Sequence, residues 1–188
     1  EYNKPALYWY NKMLKQIASN DLDEADDTYT SLESEHRNSP FIPSAMLILV
    51  NAHIDEEEYA LSNFYLDEYI KRFSLSKDID YARYLKIKAN FLGFKYQFRD
   101  QQLIEDTLVQ VKDFKVKYPS SPYMPLVDTI NSRLSMAKAS MDKEIVDLYK
   151  RKDKELAASF YEAKLKESWI APNEIEPVKV PFYRSIFE

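Results

Sequence analysis

The fold of this chain is indicated by a stretch that occurs twice: His36-Arg37-Asn38-Ser39-Pro40-Phe41-Ile42-Pro43 and, 82 residues later, Tyr118-Pro119-Ser120-Ser121-Pro122-Tyr123-Met124-Pro125. Both copies run from a ring side chain through turn residues to Ser-Pro-aromatic, an apolar residue and a second proline. A residue before proline is pushed away from helical geometry, whereas proline itself fits the first turn of a helix. Each copy is therefore expected to end one helix and begin the next. A weaker copy lies between them: Arg72-Phe73-Ser74-Leu75-Ser76-Lys77-Asp78.

Helix, turn and helix thus recur after 37 and then 45 residues, measured from His36 to Phe73 and from Phe73 to Tyr118. Recurrence at about this period is typical of α-solenoids of the tetratricopeptide class. We predict an all-α, tetratricopeptide-like α-solenoid of about four helix pairs over residues 1–170, followed by an extended Pro-rich tail at 171–188. The repeats are expected at about 5–40, 41–77, 78–121 and 122–169.

Apolar spacing supports helices within these bounds. Residues 45–54 are apolar almost all round, which indicates a helix covered on more than one side, and His53 in this run is interpreted as a core or groove histidine. The glutamates at 56–58 are expected to begin the following helix. The helix after Pro122 or Pro125 is expected to exceed roughly 20 residues, and a final helix is expected at about 153–169.

The tail combines three prolines with many apolar residues, among them Phe182, Tyr183 and Phe187. Proline prevents a helix of any length here, yet the segment is too apolar for free exposure. It is expected to lie extended, either as a cap on the last repeat or against a partner protein.

Composition excludes several classes of function. The chain has a single glycine, Gly93, so that a phosphate-binding Gly-rich loop cannot exist, and tight hairpins needing positive φ are nearly excluded, which favours helices. It has no cysteine, two histidines on separate elements and a net charge of −5. We therefore expect no metal site, no cofactor, no catalytic group and no nucleic-acid partner.

Binding is the usual work of a helical solenoid. Candidate residues for a peptide-binding groove are ring and arginine side chains that would be wasted as pure core: Tyr8, Trp9, Tyr10, His36, Arg37, Phe41, Tyr69 and Arg72. The alternative for each residue is that the rings are packing and that Arg37 is a solvated loop charge.

Several stretches resemble the BamD (ComL/YfiO) family of outer-membrane assembly lipoproteins. Leu66-Asp67-Glu68-Tyr69-Ile70-Lys71-Arg72 with residues 78–84, residues 117–123 and, more loosely, residues 143–151 are similar to family motifs. In the turn after the first repeat the family carries a tyrosine tied to binding of the substrate signal, and His36 stands at that position here. The resemblance covers about residues 20–168.

The resemblance implies a protein at the periplasmic face of the outer membrane, held by an acylated cysteine upstream of Glu1. It also implies binding to the insertase subunit BamA and other machinery subunits through the C-terminal repeats, and to unfolded β-barrel precursors through the N-terminal repeats. The best-known family members have five repeats, and the tail would stand in the place of the fifth here. The BamA contact is therefore expected at residues 143–169 and in the tail. Its candidate residues are Tyr149, Arg151, Phe160, Trp169, Phe182, Tyr183 and Phe187.

A second interpretation is a periplasmic or cytosolic tetratricopeptide scaffold or chaperone with no link to barrel assembly. A lipid-anchor cysteine upstream of Glu1 favours the first interpretation, and a plain methionine start favours the second.

Overall fold

The computed structural model describes residues 3–94 and 101–167, which form eight α-helices and no strand. The helices are α1 (Ala6–Ala18), α2 (Leu22–Glu35), α3 (Phe41–Asp55), α4 (Tyr59–Arg72), α5 (Ile79–Phe94), α6 (Gln101–Lys117), α7 (Met124–Arg151) and α8 (Glu155–Glu167). The predicted all-α solenoid of about four helix pairs is confirmed. The predicted repeat bounds stay a prediction, and the tail at 171–188 lies outside the described residues.

Each helix packs against the next one along the chain, and the first helices of successive pairs also touch, α1 with α3, α3 with α5 and α5 with α7. Buried apolar side chains form one large cluster through α1 to α5 and a second through α5 to α7. A third cluster, between α7 and α8, has three buried members among the described residues: Ala139, Val146 and Leu165. No described helix is long and apolar enough to cross a membrane.

A serine stands at the centre of each turn between pairs: Ser39, Ser76 and Ser121. Its backbone N–H donates to the carbonyl three residues earlier, at 2.8, 2.9 and 3.1 Å respectively. Its Oγ accepts the N–H two residues later at 3.2 Å in all three turns. Such side-chain bonds favour turns over a continuing helix. The weak middle copy in the sequence is therefore geometrically equal to the two Pro-rich copies.

The second helix of each of the first three pairs buries one large side chain four residues before the first ring of its turn: Leu32, Tyr69 and Phe114, each at most 1% exposed. The carbonyls of these residues accept the backbone N–H groups of His36, Phe73 and Tyr118 at 2.9, 2.8 and 2.8 Å. The end of each of these helices is thus tied both to the core and to the turn that follows it.

The turns within pairs correct two expectations. Asn20, Glu57 and Asp153 adopt φ of 58°, 64° and 53°, although none of them is glycine. In each turn the following residue donates its N–H to the carbonyl five residues earlier, at 2.7–2.9 Å, which is the Schellman pattern of a helix end. The glutamates at 56–58 therefore form the turn, α4 begins at Tyr59, and α8 begins at Glu155 rather than at Asp153.

Replacing Glu57 by glycine is expected to stabilise the protein. Glutamate pays a steric cost at φ 64° that glycine does not pay, so the free energy of unfolding should rise by about 0.5–1 kcal/mol. Glu56→Gly is the matched control, because Glu56 has an ordinary φ of −88° and glycine there only adds freedom to the unfolded chain. Urea unfolding of both variants checks this. Equal destabilisation in the two would contradict it.

Candidate functional site

The turn between the first two helix pairs is fastened to the second pair by an arginine. Arg72, at the end of α4, forms an ion pair with Glu33 of α2, and its Nη2 donates to the carbonyl of Arg37 at 3.5 Å. Arg72 is half-buried, so this link is less exposed to solvent and salt than a surface pair. The geometry of the turn therefore depends on how the second pair is seated.

The start of the chain is fastened to the same turn by Glu35 and His36. One carboxylate oxygen of Glu35 accepts the indole N–H of Trp9 at 3.0 Å, and the other accepts the backbone N–H of Asn3 at 3.3 Å. The hydrogen bond from Trp9 is the main cause that lowers the pKa of Glu35. His36 Nε2 lies 2.7 Å from the carbonyl of Lys4, so this nitrogen carries the proton and donates it.

Ring side chains surround this turn. Phe41 stacks on Tyr10 with ring centroids 5.0 Å apart, and Tyr8 meets Trp9 edge to face at 5.4 Å. Tyr8 is 37% exposed, whereas Trp9 is 3% exposed and Tyr69 is fully buried.

The structure thus brings most of the predicted peptide-binding residues together at one end of the array. We define the N-terminal surface as Tyr8, His36, Arg37, Phe41 and Arg72. Within it Arg37 is exposed, and His36, Phe41 and Arg72 are half-buried. Trp9 and Tyr69 are buried rather than part of this surface, and each also forms a hydrogen bond, Trp9 to Glu35 and Tyr69 with Ser76.

A buried polar network lies deeper, between α2, α3 and α4. His53 is fully buried, with Nδ1 2.7 Å from Glu58 Oε2 and Nε2 3.1 Å from Asp26 Oδ1. Tyr65 donates its hydroxyl to the same Asp26 oxygen at 2.6 Å, and its ring stacks on the imidazole at 5.7 Å. These three partners join the first helix pair to the second.

The network favours a charged imidazolium. Burial by itself lowers the pKa of His53, but hydrogen bonds to Asp26 and Glu58 and the charges of these carboxylates outweigh burial, and the pKa of His53 is raised. Burial and the bond to Asp26 likewise raise the pKa of the Tyr65 hydroxyl. The interpretation of His53 as a core histidine agrees with this position. Sequence reasoning missed Asp26, Glu58 and Tyr65, which lie up to 39 residues apart.

A second surface is formed by α7 and α8. We define the C-terminal surface as Leu156, which is 90% exposed, Phe160, which is 58% exposed, Arg151, which is exposed, and Tyr149, which is half-buried. Tyr149 packs on Tyr161 with centroids 5.9 Å apart, and Lys164 lies over the Phe160 ring at 5.1 Å. The other predicted partner-binding residues, Trp169, Phe182, Tyr183 and Phe187, lie outside the described residues.

Neither surface has the donor set of a metal centre, and no group of side chains in residues 3–94 and 101–167 is placed to hold a metal ion. What both surfaces offer is rings, guanidinium groups and apolar side chains. Such groups recognise peptides by packing and by charge-assisted hydrogen bonds.

The family model for YfiO, described as an outer membrane lipoprotein, matches residues 3–164. The chain belongs to the YfiO family. This confirms the resemblance seen in the sequence. The match covers all eight helices except the last residues of α8, so both surfaces of this YfiO family member lie within it.

Two relatives are both outer membrane protein assembly factors named BamD. The chain is similar to the outer membrane protein assembly factor BamD of Helicobacter pylori, with 37% identity over 188 residues, which is 100% of the chain and 86% of that protein. It is also similar to the outer membrane protein assembly factor BamD of Caulobacter vibrioides, with 24% identity over 136 residues, which is 70% of the chain and 45% of that protein.

The His53 network predicts stability that depends on pH. Because the folded-state pKa of His53 lies above its ordinary value of 6.5, the stabilisation is fully present below about pH 6.5 and is lost as pH rises through the folded-state pKa. Each unit of difference corresponds to about 1.4 kcal/mol. The difference in free energy of unfolding between wild type and His53→Gln should therefore shrink from pH 6 upwards.

Chemical denaturation from pH 5.5 to 9 measures this difference. Glu58→Gln removes one of the two carboxylates that raise the folded-state pKa of His53, so in this variant the loss should be smaller and should be complete at a lower pH than in wild type. A difference between wild type and His53→Gln that stays constant across this range would contradict the network.

Proposed function

We propose that the chain is a non-enzymatic scaffold of the outer-membrane β-barrel assembly machinery, which binds BamA and segments of unfolded β-barrel precursors. The observation that carries this proposal is the 37% identity over the whole chain to a protein named as an outer membrane protein assembly factor. A helical array supports it, because stacked pairs present extended surfaces for peptides and domains. The family match favours this function over a scaffold unrelated to barrel assembly.

The proposed location is the periplasmic face of the outer membrane. The family is described as outer membrane lipoproteins, which supports attachment by a lipid on a cysteine upstream of Glu1.

The N-terminal surface is the proposed contact for precursors. Barrel precursors end in an extended segment with alternating aromatic residues and a terminal carboxylate. Tyr8 and Phe41 supply rings for the aromatic side chains, and the exposed guanidinium of Arg37 suits the carboxylate. The carbonyl of Arg37 is held by Arg72, which limits how far this loop can move before a ligand binds.

The C-terminal surface is the proposed contact for BamA. Leu156 is 90% exposed and Phe160 is 58% exposed on a helix whose own core contains few buried residues. Apolar side chains grouped in this way mark interaction sites more often than scattered ones do. A partner that covers them gains burial that α7 and α8 do not provide for each other.

Arg37→Ala is expected to weaken binding of a labelled peptide that carries the last ten residues of a barrel precursor from the same organism. Loss of a charge-assisted hydrogen bond should reduce affinity by about tenfold or more. The side chain is exposed, so the thermal midpoint should stay unchanged. Fluorescence polarisation measures this. Arg133→Ala, which removes an exposed arginine from α7, is the matched control. Equal affinities for wild type and Arg37→Ala would refute the contact.

Leu156→Ala and Phe160→Ala are expected to weaken binding to the periplasmic domains of BamA from the same organism. Each removes exposed apolar area, so affinity should fall by about three- to tenfold with the fold intact, since about 25 cal/mol per Å² is lost. Leu75→Ala is the control, because Leu75 is 99% exposed in a turn far from α8 in the chain. Titration calorimetry with the full chain measures the three affinities. A Leu75→Ala loss as large as that of Leu156→Ala would rule out a specific surface.

A further inference from the structure

A cleft of about 280 Å³ lies between α4, α5 and α6, apart from the N-terminal and C-terminal surfaces. Its apolar walls are Ile70, Ile87 and Phe114, one from each helix. Ile87 and Phe114 are each 1% exposed, so they form a floor rather than a rim. Ligand pockets for small molecules measure about 300–1,000 Å³. This cleft therefore has room for about one side chain with a polar group beside it.

The charges that line the cleft do not cancel. Three basic side chains, Arg83, Lys86 and Lys117, face two acidic ones, Asp67 and Asp113. Lys86 forms an ion pair with Asp67, and Lys117 lies 3.9 Å from Asp113. Each carboxylate thus has a lysine of its own, and the surplus positive charge belongs to Arg83.

One polar atom of Arg83, beside this cleft, has no hydrogen-bond partner among the described residues. This atom is Nε, which is buried. Buried polar atoms in folded proteins nearly always have a partner. Arg83 as a whole is half-buried, so it is this one buried N–H beside an open cleft that is available to an acceptor from outside the described chain.

We propose that this cleft binds a carboxylate-bearing residue of a peptide, with Arg83 holding the carboxylate and the apolar floor receiving a neighbouring apolar side chain. The planar guanidinium matches a carboxylate through two parallel hydrogen bonds, and the surplus charge selects an anion. The floor of Ile87 and Phe114 disfavours a fully hydrated ion and favours an acid next to an apolar residue. The carboxylate can come from an acidic side chain within a chain or from a chain terminus.

This inference does not rest on the proposed function, which assigns precursors to the N-terminal surface and BamA to the C-terminal surface. The two are separable by experiment, because Arg83 belongs to neither surface. Loss of peptide binding in Arg37→Ala with unchanged binding in Arg83→Gln, or the reverse, tells them apart.

Fluorescence polarisation with three labelled peptides tests the site. The first is amidated and carries Phe-Glu within a Gly-Ser background, the second replaces this Glu by Gln, and the third ends in Phe with a free carboxylate. The full chain is expected to bind the first or the third at least about tenfold more tightly than the second. Preference for the first assigns an acidic side chain as ligand, and preference for the third assigns a chain terminus.

Arg83→Gln should abolish this preference and Arg83→Lys should reduce it, because lysine keeps the positive charge but lacks the planar pair of N–H donors that binds a carboxylate. Arg133→Gln is the matched control, since it removes an exposed arginine of α7 and should leave the affinities unchanged. Peptide binding to the wild-type chain should also shift the Arg83 Nε–H signal in an NMR correlation spectrum, which requires no variant to fold. Equal affinity for the Glu and Gln peptides together with no preference for the free terminus, or an Nε–H signal that does not move, would overturn the proposal.

Discussion

The burial of each helix pair against the next is the constraint on which the rest of this structure depends. A single pair of short helices exposes an apolar face that only a stacked neighbour can cover. The largest core cluster accordingly runs without a break from α1 to α5. Apolar burial is not directional, however, and it does not by itself fix the angle or register of one pair on the next.

Polar links between the first two pairs supply that register. The imidazole of His53 has to meet Asp26 and Glu58 at once, and the guanidinium of Arg72 has to meet Glu33 and the carbonyl of Arg37. The buried imidazole and the half-buried guanidinium are both satisfied in this arrangement and would lose partners in others, so a slip of one pair past its neighbour is penalised. The position of the N-terminal surface therefore depends on these polar contacts between the first two helix pairs.

The sequence predicted what depends on neighbouring residues along the chain. Serines, prolines and rings at fixed offsets reveal the turns between pairs, and the same serine geometry recurs even at Ser76, where proline is missing. Glu57 at positive φ gave no such signal, because glutamate is not a residue that this conformation favours. The partners of His53 were missed for another reason: Asp26 looked like one of many solvated acids, and only the stacking of pairs brings it to the imidazole. The burial of Trp9 and Tyr69 likewise follows from cover by neighbouring elements.

Packing weakens along the array, and this bears on how the two surfaces can work. Within residues 3–94 and 101–167, the buried cluster between α7 and α8 has three members, whereas the cluster through α1 to α5 has many and is joined by the polar links described above. A surface on well-packed pairs is preorganised, so little conformational entropy is lost when a ligand binds there. A surface on a thinly packed pair gains more from a partner that buries Leu156 and Phe160, because the partner completes a core as well as forming an interface. This difference supports the proposal that extended segments bind at the N-terminal end of the array and a folded domain at the C-terminal end.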